Sequence, residues 1–492
     1  MEYTLERARR YEAEALRDIS KLNRPQYHLT PGVGWMNDPN GFSFYKGKFH
    51  LFYQYYPYDT NWGKMHWGHA VSSDLVKWDY LPAALAPDST YDHEGCFSGG
   101  AITLKDGRQM LMYTGVSVTK DENGNDMTVQ QQCVAFGDGI DYKKYEHNPV
   151  IETKDLPEGA SKLDFRDPTV FERPDGDYGC IVGSCDADKD GQLLEFKSKD
   201  GINWNYVGCL LKCNGKLGRM WECPNYFSMQ GKRVLVFSPQ EIRNMEPEFC
   251  DGNQTVCITC DEPEGEFKPK TKQCLDYGTD FYAPQVLNMP DGSKVMIGWL
   301  QNWDALRHNE KNRMFYGTMS IPRSISFKGD RLVQEPVKAI ETYRKGETRL
   351  KFALNDGLSR NERIKGRNFD MTVEVSPEEG ETRYSEFSIG LAEGGGCVTL
   401  LVYDPEKKTL TIDRSKDGTE RERFNERNCV LYGDRGDGNL KLRILSDGYT
   451  LEVFVNDGVN VLSAVVGTDV SAEGIYFGAA GKAKVETVFY NM

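Results

Sequence analysis

Ser73-Asp74-Leu75-Val76-Lys77-Trp78 recurs, respelled, along the first two thirds of this chain. Gly137-Asp138-Gly139-Ile140-Asp141-Tyr142 follows it, then Lys199-Asp200-Gly201-Ile202-Asn203-Trp204, and more loosely Cys260-Asp261 with Phe267. Each leads on to apolar residues: Leu81 and Leu85, Val150-Ile151, Leu210-Leu211, and Leu275. The aspartates stand 64, 62 and 61 residues apart, and Lys328-Gly329-Asp330 comes 69 further on. Between these turns, the runs Phe49–Tyr55, Gln109–Tyr113, Cys180–Gly183, Val234–Ser238 and Lys294–Trp299 read as strands. A unit of about 60 residues holding several strands and one turn suits a propeller blade. Five units across residues 25–335 make a five-bladed β-propeller. Turn residues of this kind are common, so the repeat alone is equally open to chance agreement.

The rest of the chain is also read as β, apart from its start. Residues 1–24 are charged and helix-forming, with Arg7, Arg9, Arg10, Glu12 and Glu14, and lack the apolar core of a signal peptide. Residues 336–348 read as a connecting segment with a short helix at Val337–Tyr343. Residues 349–492 carry evenly spaced strands without a helical period, which predicts a C-terminal β-sandwich. The expected architecture is therefore all-β.

A net charge of −14 argues against nucleic acid and against anionic membrane surfaces. No apolar run reaches the ~18 residues that cross a bilayer. Thirteen cysteines, an odd count without an export signal, fit reduced thiols in a cytoplasm. Cys257-x-x-Cys260 is an isolated pair, and His66-x-x-His69 lacks a metalloprotease glutamate. No metal and no cofactor is expected.

Chemistry is carried by acids early in the units. Trp35-Met36-Asn37-Asp38-Pro39-Asn40-Gly41 reads as a tight turn: Pro39 disfavours helix at Asp38, and Asn40-Gly41 is a hairpin signal. By itself such a cluster is an ordinary surface turn. Arg166-Asp167-Pro168 repeats the acid–proline pair, and the adjacent arginine is expected to keep Asp167 ionised. Trp221-Glu222-Cys223-Pro224 sets an acid among apolar neighbours, where desolvation favours the protonated form a proton donor requires. One charged and one protonated carboxyl is the division of labour in glycoside hydrolysis. Trp35, Trp62, Phe97, Trp221, Tyr282 and Trp299 suit sugar stacking, although core packing is the commoner role of any one aromatic.

These three motifs resemble the signatures of glycoside hydrolase family 32, the β-fructosidases. Phe52-Tyr53-Gln54, Trp62-Gly63, Gly95-Cys96-Phe97-Ser98-Gly99, Phe281-Tyr282-Ala283-Pro284-Gln285 and Ile321-Pro322-Arg323 add to the match, which runs in family order over residues 28–323. The resemblance implies a propeller plus sandwich and retaining hydrolysis of β-fructosyl bonds. It makes Asp38 the nucleophile, Glu222 the acid/base and Asp167 a stabiliser bonding fructose hydroxyls. Asn37, Gln54, Trp62, Phe97, Ser98, Arg166 and Tyr282 would shape the fructose subsite, with Trp35, Met36, Cys223 and Trp299 beside them. Tyr56, Phe42 and Gly100 depart from the commoner asparagine, leucine and small residue, and Tyr56 bears on substrate length.

The expectation is a cytoplasmic β-fructofuranosidase acting on sucrose, sucrose 6-phosphate or short fructo-oligosaccharides. A fructosyltransferase using the same covalent intermediate is the near alternative, and an exo-acting fructan hydrolase a further one. A non-catalytic sugar-binding protein would lack one of the three acids. The sandwich is left open to binding carbohydrate or a second copy of the chain.

Overall fold

The computed structural model describes residues 2–17, 24–121, 123–213, 215, 217–243, 248–306, 314–380, 383–421 and 424–492. Five sheets, each built on four antiparallel strands, are followed by a large C-terminal sheet system. The innermost strands are Gly34–Tyr45, Gly95–Thr103, Phe165–Glu172, Trp221–Met229 and Tyr282–Asn288. Each contacts the next, and the fifth contacts the first, so the blades close into a ring about one axis. A two-strand parallel pairing of Phe315–Tyr316 from the fifth blade with Gly34-Trp35 of the first reinforces that closure.

The repeated aspartates lie between the third and fourth strands of their blades. Asp200 Oδ1 accepts the amides of Ile202 and Asn203 at 2.9 and 2.8 Å, and Asp74 Oδ1 accepts those of Val76 and Lys77 at 2.9 Å. Asp138 does the same for Ile140 and Asp141. A short carboxylate that satisfies two turn amides is hard to replace, which is why this residue marks the repeat. Leu75 has φ 68, where the corresponding turns use Gly139 and Gly201.

The five runs read as strands from sequence are the second strands of the five blades: Lys48–Tyr56, Gln109–Lys120, Tyr178–Cys185, Lys232–Pro239 and Lys294–Trp299. They are largely covered on both faces and so carry mostly apolar runs. The innermost strands hide from such a reading. Asp38-Pro39-Asn40-Gly41 is no hairpin but the middle of a twelve-residue strand, with bulges between Met36 and Pro39 and between Asn40 and Ser43. Proline offers no amide to a ladder and Gly41 sits at φ 51, so turn chemistry is used here to bend a strand.

The C-terminal strands form a sandwich around one shared strand. Gly474–Asn491 pairs with Glu386–Gly394 over its first half and with Asn368–Pro377 over its second, while Lys345–Arg360 runs along the whole length. Residues Lys338–Tyr343, expected as a short helix, form a 3₁₀ helix. The N-terminal helix spans Leu5–Ala15, shorter than expected; residues 18–23 lie outside the described residues. Its Thr4 cap accepts the Arg7 amide, and Glu12 and Arg9 bond the Ala83 backbone of blade one.

Buried ion pairs join propeller and sandwich. Arg323 of blade five, fully buried, donates to Glu452 and to Asp276. His28 stands between Asp447 and Glu452, 3.0 Å from each. Burial opposes its charge, but hydrogen bonds and charges from both acids outweigh it and lift His28 from 6.5 to about 9. A histidine raised on folding contributes stability that is whole below pH 6.5 and lost as pH climbs through about 9. His28→Gln should therefore melt lower at neutral pH, and its Tm should fall less than the parent's between neutral and strongly alkaline buffer. Parallel Tm profiles would contradict the assignment.

Candidate active site

Every innermost strand is bulged at the same level. Asn37-Asp38, Ser98, Asp167-Pro168, Cys223-Pro224 and Ala283-Pro284 are the residues set outside the ladder. Asp167, Cys223 and Ala283 take φ of 65, 47 and 49, a conformation costly for residues with a Cβ. Each of their amides leaves the sheet ladder for a polar side chain. Thr114 Oγ1 accepts the Asp167 amide at 2.9 Å, Asp167 Oδ2 that of Cys223 at 3.0 Å, and Ser238 Oγ that of Ala283 at 2.9 Å. The bulges thereby turn side chains from four blades onto the axis. Ser98 donates to Asp38 Oδ2 at 3.0 Å, and the Cys223 thiol lies 3.6 Å from Asp38 and 3.5 Å from Asp167.

Glu222 precedes its bulge by one residue and leans over this ring. Its Oε1 accepts Arg166 Nε and Nη2 at 3.0 and 2.7 Å; its Oε2 accepts the Tyr282 hydroxyl at 2.6 Å. Two sequence expectations change here. Arg166 bonds Glu222 and Asp164, not the Asp167 beside it, which is set outside the ladder by the bulge and accepts the Cys223 amide. The apolar setting expected for Glu222 is replaced by a cation and a phenol, since Trp221 turns into the blade against Phe237. The acid most strongly raised is Asp38. Burial, then the charges of Glu222 and Asp167, push it up to about 7, against bonds from Asn37 and Ser98. Burial also lifts Asp167, to about 6, although the Arg166 charge pulls it down.

Holding Asp38 this way costs stability. Its folded value lies above the ordinary 3.8, so ionising it disfavours the folded state increasingly from about pH 4 to about pH 7. Asp38→Asn is expected to raise Tm by several degrees at neutral pH, with the gain vanishing in acid. A loss of Tm at neutral pH would show that the charge is not a burden.

Around the acids lies a pocket of about 390 Å³. Asn37, Asp38, Gln54, Trp62, Phe97, Ser98, Arg166, Asp167 and Glu222 line it, as the sequence suggested. Trp62 is 48% exposed on the rim and meets Phe97 edge-on at 5.9 Å. The remaining sequence candidates stand outside the lining. Met36 is fully buried in a core cluster with Leu51 and Ile297. Trp35, Tyr282, Trp299 and Cys223 form the wall behind, in which Trp35 stacks on Tyr316 at 4.9 Å and donates to Asn37 at 2.7 Å.

Four lining residues escaped the sequence reading: Gln130, Gln240, Asn253 and Trp303. Only Gln130 left a signal, as one of three successive glutamines in a strand that needs partners for buried amides. It accepts the Phe165 amide at 3.0 Å and lies 3.4 Å from Arg166 Nη1, tying blade two to blade three. Cys257 and Cys260 share a strand of blade four, and His69 pairs with His50 at 3.0 Å. Among the described residues no group of three or more histidine, cysteine or acidic side chains is arranged to hold a metal ion.

Carboxylates gathered on the axis of a five-bladed propeller, below an aromatic rim, define a sugar-cleaving hydrolase. Residues 28–336 match the glycosyl hydrolases family 32 N-terminal domain, and residues 338–490 match the family's C-terminal domain. A sucrose-6-phosphate hydrolase of Zymomonas mobilis is 34% identical over 457 residues, 88% of this chain and 84% of that protein. A Bacillus subtilis levanase is 33% identical over 94% of this chain and 69% of its own length. A solved Bombyx mori family 32 β-fructofuranosidase variant in complex with sucrose superposes with a TM-score of 0.81 at 32% identity, covering 98% of this chain and 97% of that one. The chain belongs to glycosyl hydrolases family 32 and is a fructoside-cleaving enzyme.

Proposed function

We propose that Asp38 is the nucleophile, Glu222 the acid/base and Asp167 the partner of fructose hydroxyls in a double displacement at the fructosyl anomeric carbon. The observation that carries this is that Asp38 and Glu222 come from non-adjacent blades, line one pocket and have separate hydrogen-bond partners. Glu222 gives its proton to the glycosidic oxygen as Asp38 bonds the anomeric carbon. It then takes a proton from water, whose oxygen displaces Asp38 from the opposite face, the one the leaving group vacated. Oε2 is the oxygen for this traffic, because Oε1 is held by the Arg166 cation. Asn37, Gln54, Trp62, Phe97 and Ser98 surround the fructosyl unit.

The substrates are sucrose, sucrose 6-phosphate or short fructo-oligosaccharides. A pocket of this volume, near the small end of the usual ~300–1,000 Å³, suits one sugar unit and part of the next. The sucrose-6-phosphate hydrolases and sucrose-bound structure among its relatives support the short substrates. A cytoplasmic site of action belongs to the same proposal, supported by thirteen cysteines without a disulfide. The test is kcat/KM for sucrose, sucrose 6-phosphate and a trisaccharide side by side, with the first-formed fructose anomer read by NMR. Fructose released first with inverted configuration would overturn double displacement, and a preference rising with chain length would overturn the substrate assignment.

A further inference from the structure

The sandwich reaches the catalytic residues through one arginine. Arg414, 1% exposed, donates through Nη1 to Asp280 Oδ2 and, at 2.7 Å, to the Val465 carbonyl. Asp280 Oδ2 also accepts the Val465 amide at 2.7 Å. The surrounding backbones are laced together: Tyr277 donates to the Val461 carbonyl at 2.8 Å, and Thr279 and Asp280 donate to the Ser463 carbonyl at 2.8 and 3.1 Å. At Gly278 a Cβ would stand 2.0 Å from the Ser463 oxygen, so only glycine admits this approach. Two residues beyond Asp280, Tyr282 opens the innermost strand of blade five, and its hydroxyl meets Glu222 Oε2 at 2.6 Å.

The other edge of the same guanidinium leads to the opposite pocket wall. Arg414 Nε and Nη2 each donate to the Phe424 carbonyl at 3.2 Å. The Phe424 ring lies against Gly252, where a Cβ would come within 3.1 Å of it. Next in the chain is Asn253, a lining residue whose amide donates to Asp304 at 2.6 Å and whose carbonyl accepts Asn302 at 2.7 Å. One side chain outside the propeller thus supports both the Glu222–Tyr282 pair and the wall that carries Asn253.

We infer that Arg414 is a positioning residue for proton transfer: through Asp280 and Tyr282 it fixes Glu222, and through Phe424 it fixes the Asn253 wall. This rests on Glu222 being the acid/base. A purely structural pair would affect every step through the fraction of folded enzyme, whereas a positioning pair affects the step that needs a placed proton. The geometry points to the second, because one arm of Arg414 holds Asp280, two residues from Tyr282, and the other holds Phe424, whose ring lies against Gly252 beside the lining residue Asn253.

The experiment compares sucrose, whose glucose must leave with a proton, with an aryl fructoside that leaves without one. Enzyme concentration is set by active-site titration. Arg414→Gln should lose about 10- to 100-fold in kcat on sucrose, the scale of a small misplacement of reacting groups. The burst of aryl release should be unchanged, and the basic limb of kcat/KM for sucrose should move. Arg414→Lys, which keeps a cation near Asp280, should recover part of the loss. If Arg414→Gln does not fold, the double variant Asp280→Asn/Arg414→Met removes both partners without leaving a lone buried charge and should show the same selective loss. Equal losses on both substrates, or none, would overturn the inference. Glu222→Gln is measured in parallel. If it too spares sucrose, the acid/base assignment has failed; if it loses sucrose selectively and the Arg414 variants do not, only the role of Arg414 has failed.

Discussion

Asp38→Ala is expected to abolish turnover of every fructoside, whatever its leaving group. Without the carboxylate no fructosyl-enzyme forms, and removal of a covalent nucleophile costs on the order of 10⁴- to 10⁶-fold. The loss should be equal for sucrose and for an aryl fructoside, because neither can form the fructosyl-enzyme without Asp38, whether or not its leaving group needs a proton. The same residue should set the acid limb of the parent enzyme. Burial, ahead of the neighbouring carboxylates, pushes Asp38 up to about 7, and only its ionised form attacks. The acid limb of kcat/KM should therefore lie well above the ordinary carboxylate range. Asp167→Asn, by removing a like charge, should move that limb to lower pH while weakening fructose binding. An acid limb that stays in place in Asp167→Asn would show that the two carboxylates are not electrostatically joined.

Glu222→Ala should separate by leaving group. Proton donation is typically worth ~10²–10⁴-fold, and that loss should appear in full on sucrose. An aryl fructoside should still form the fructosyl-enzyme, giving a burst followed by slow release, since the same glutamate activates the water. Azide needs no general base, so it should speed release and yield a fructosyl azide of retained configuration. In Asp38→Ala, by contrast, azide can act only from the face the carboxylate has vacated, with inversion. A retained azide product from Asp38→Ala, together with an inverted one from Glu222→Ala, would mean that the two roles are exchanged.

What could be read in the linear chain follows from how locally each feature is specified. The Asp74, Asp138 and Asp200 turns were legible because one side chain satisfies the amides two and three residues on, with no help from elsewhere. The second strands were legible because burial on both faces writes a mostly apolar run. The three acids stood out because two precede a proline and the third precedes Cys223-Pro224. The sequence by itself therefore determined a β-rich chain and singled out its three acids, while the repeat pointed to five units without excluding chance agreement.

Tertiary structure decided what those acids face. Asp38-Pro39-Asn40-Gly41 has the local chemistry of a hairpin, and only pairing along both of its flanks makes it a bulged strand. Arg166 adjoins Asp167 in sequence yet grips Glu222, since a bulge sets Asp167 outside the ladder and the ring of blades brings residue 222 to residue 166. Asp38 is lifted by burial and then by charges 184 and 129 positions away in the chain, at Glu222 and Asp167. Gln130, Gln240, Asn253 and Trp303 joined the pocket from a strand interior, a strand end, a loop and a 3₁₀ helix whose local sequences specify no common point. Arg414 is the extreme case: its nearest acids in sequence are Asp413 and Asp417, but its ion pair is with Asp280. Local sequence fixes φ, ψ and the alternation of side chains; which carboxylate meets which cation depends on the closure of the ring and the docking of the sandwich, long-range events that no short window encodes.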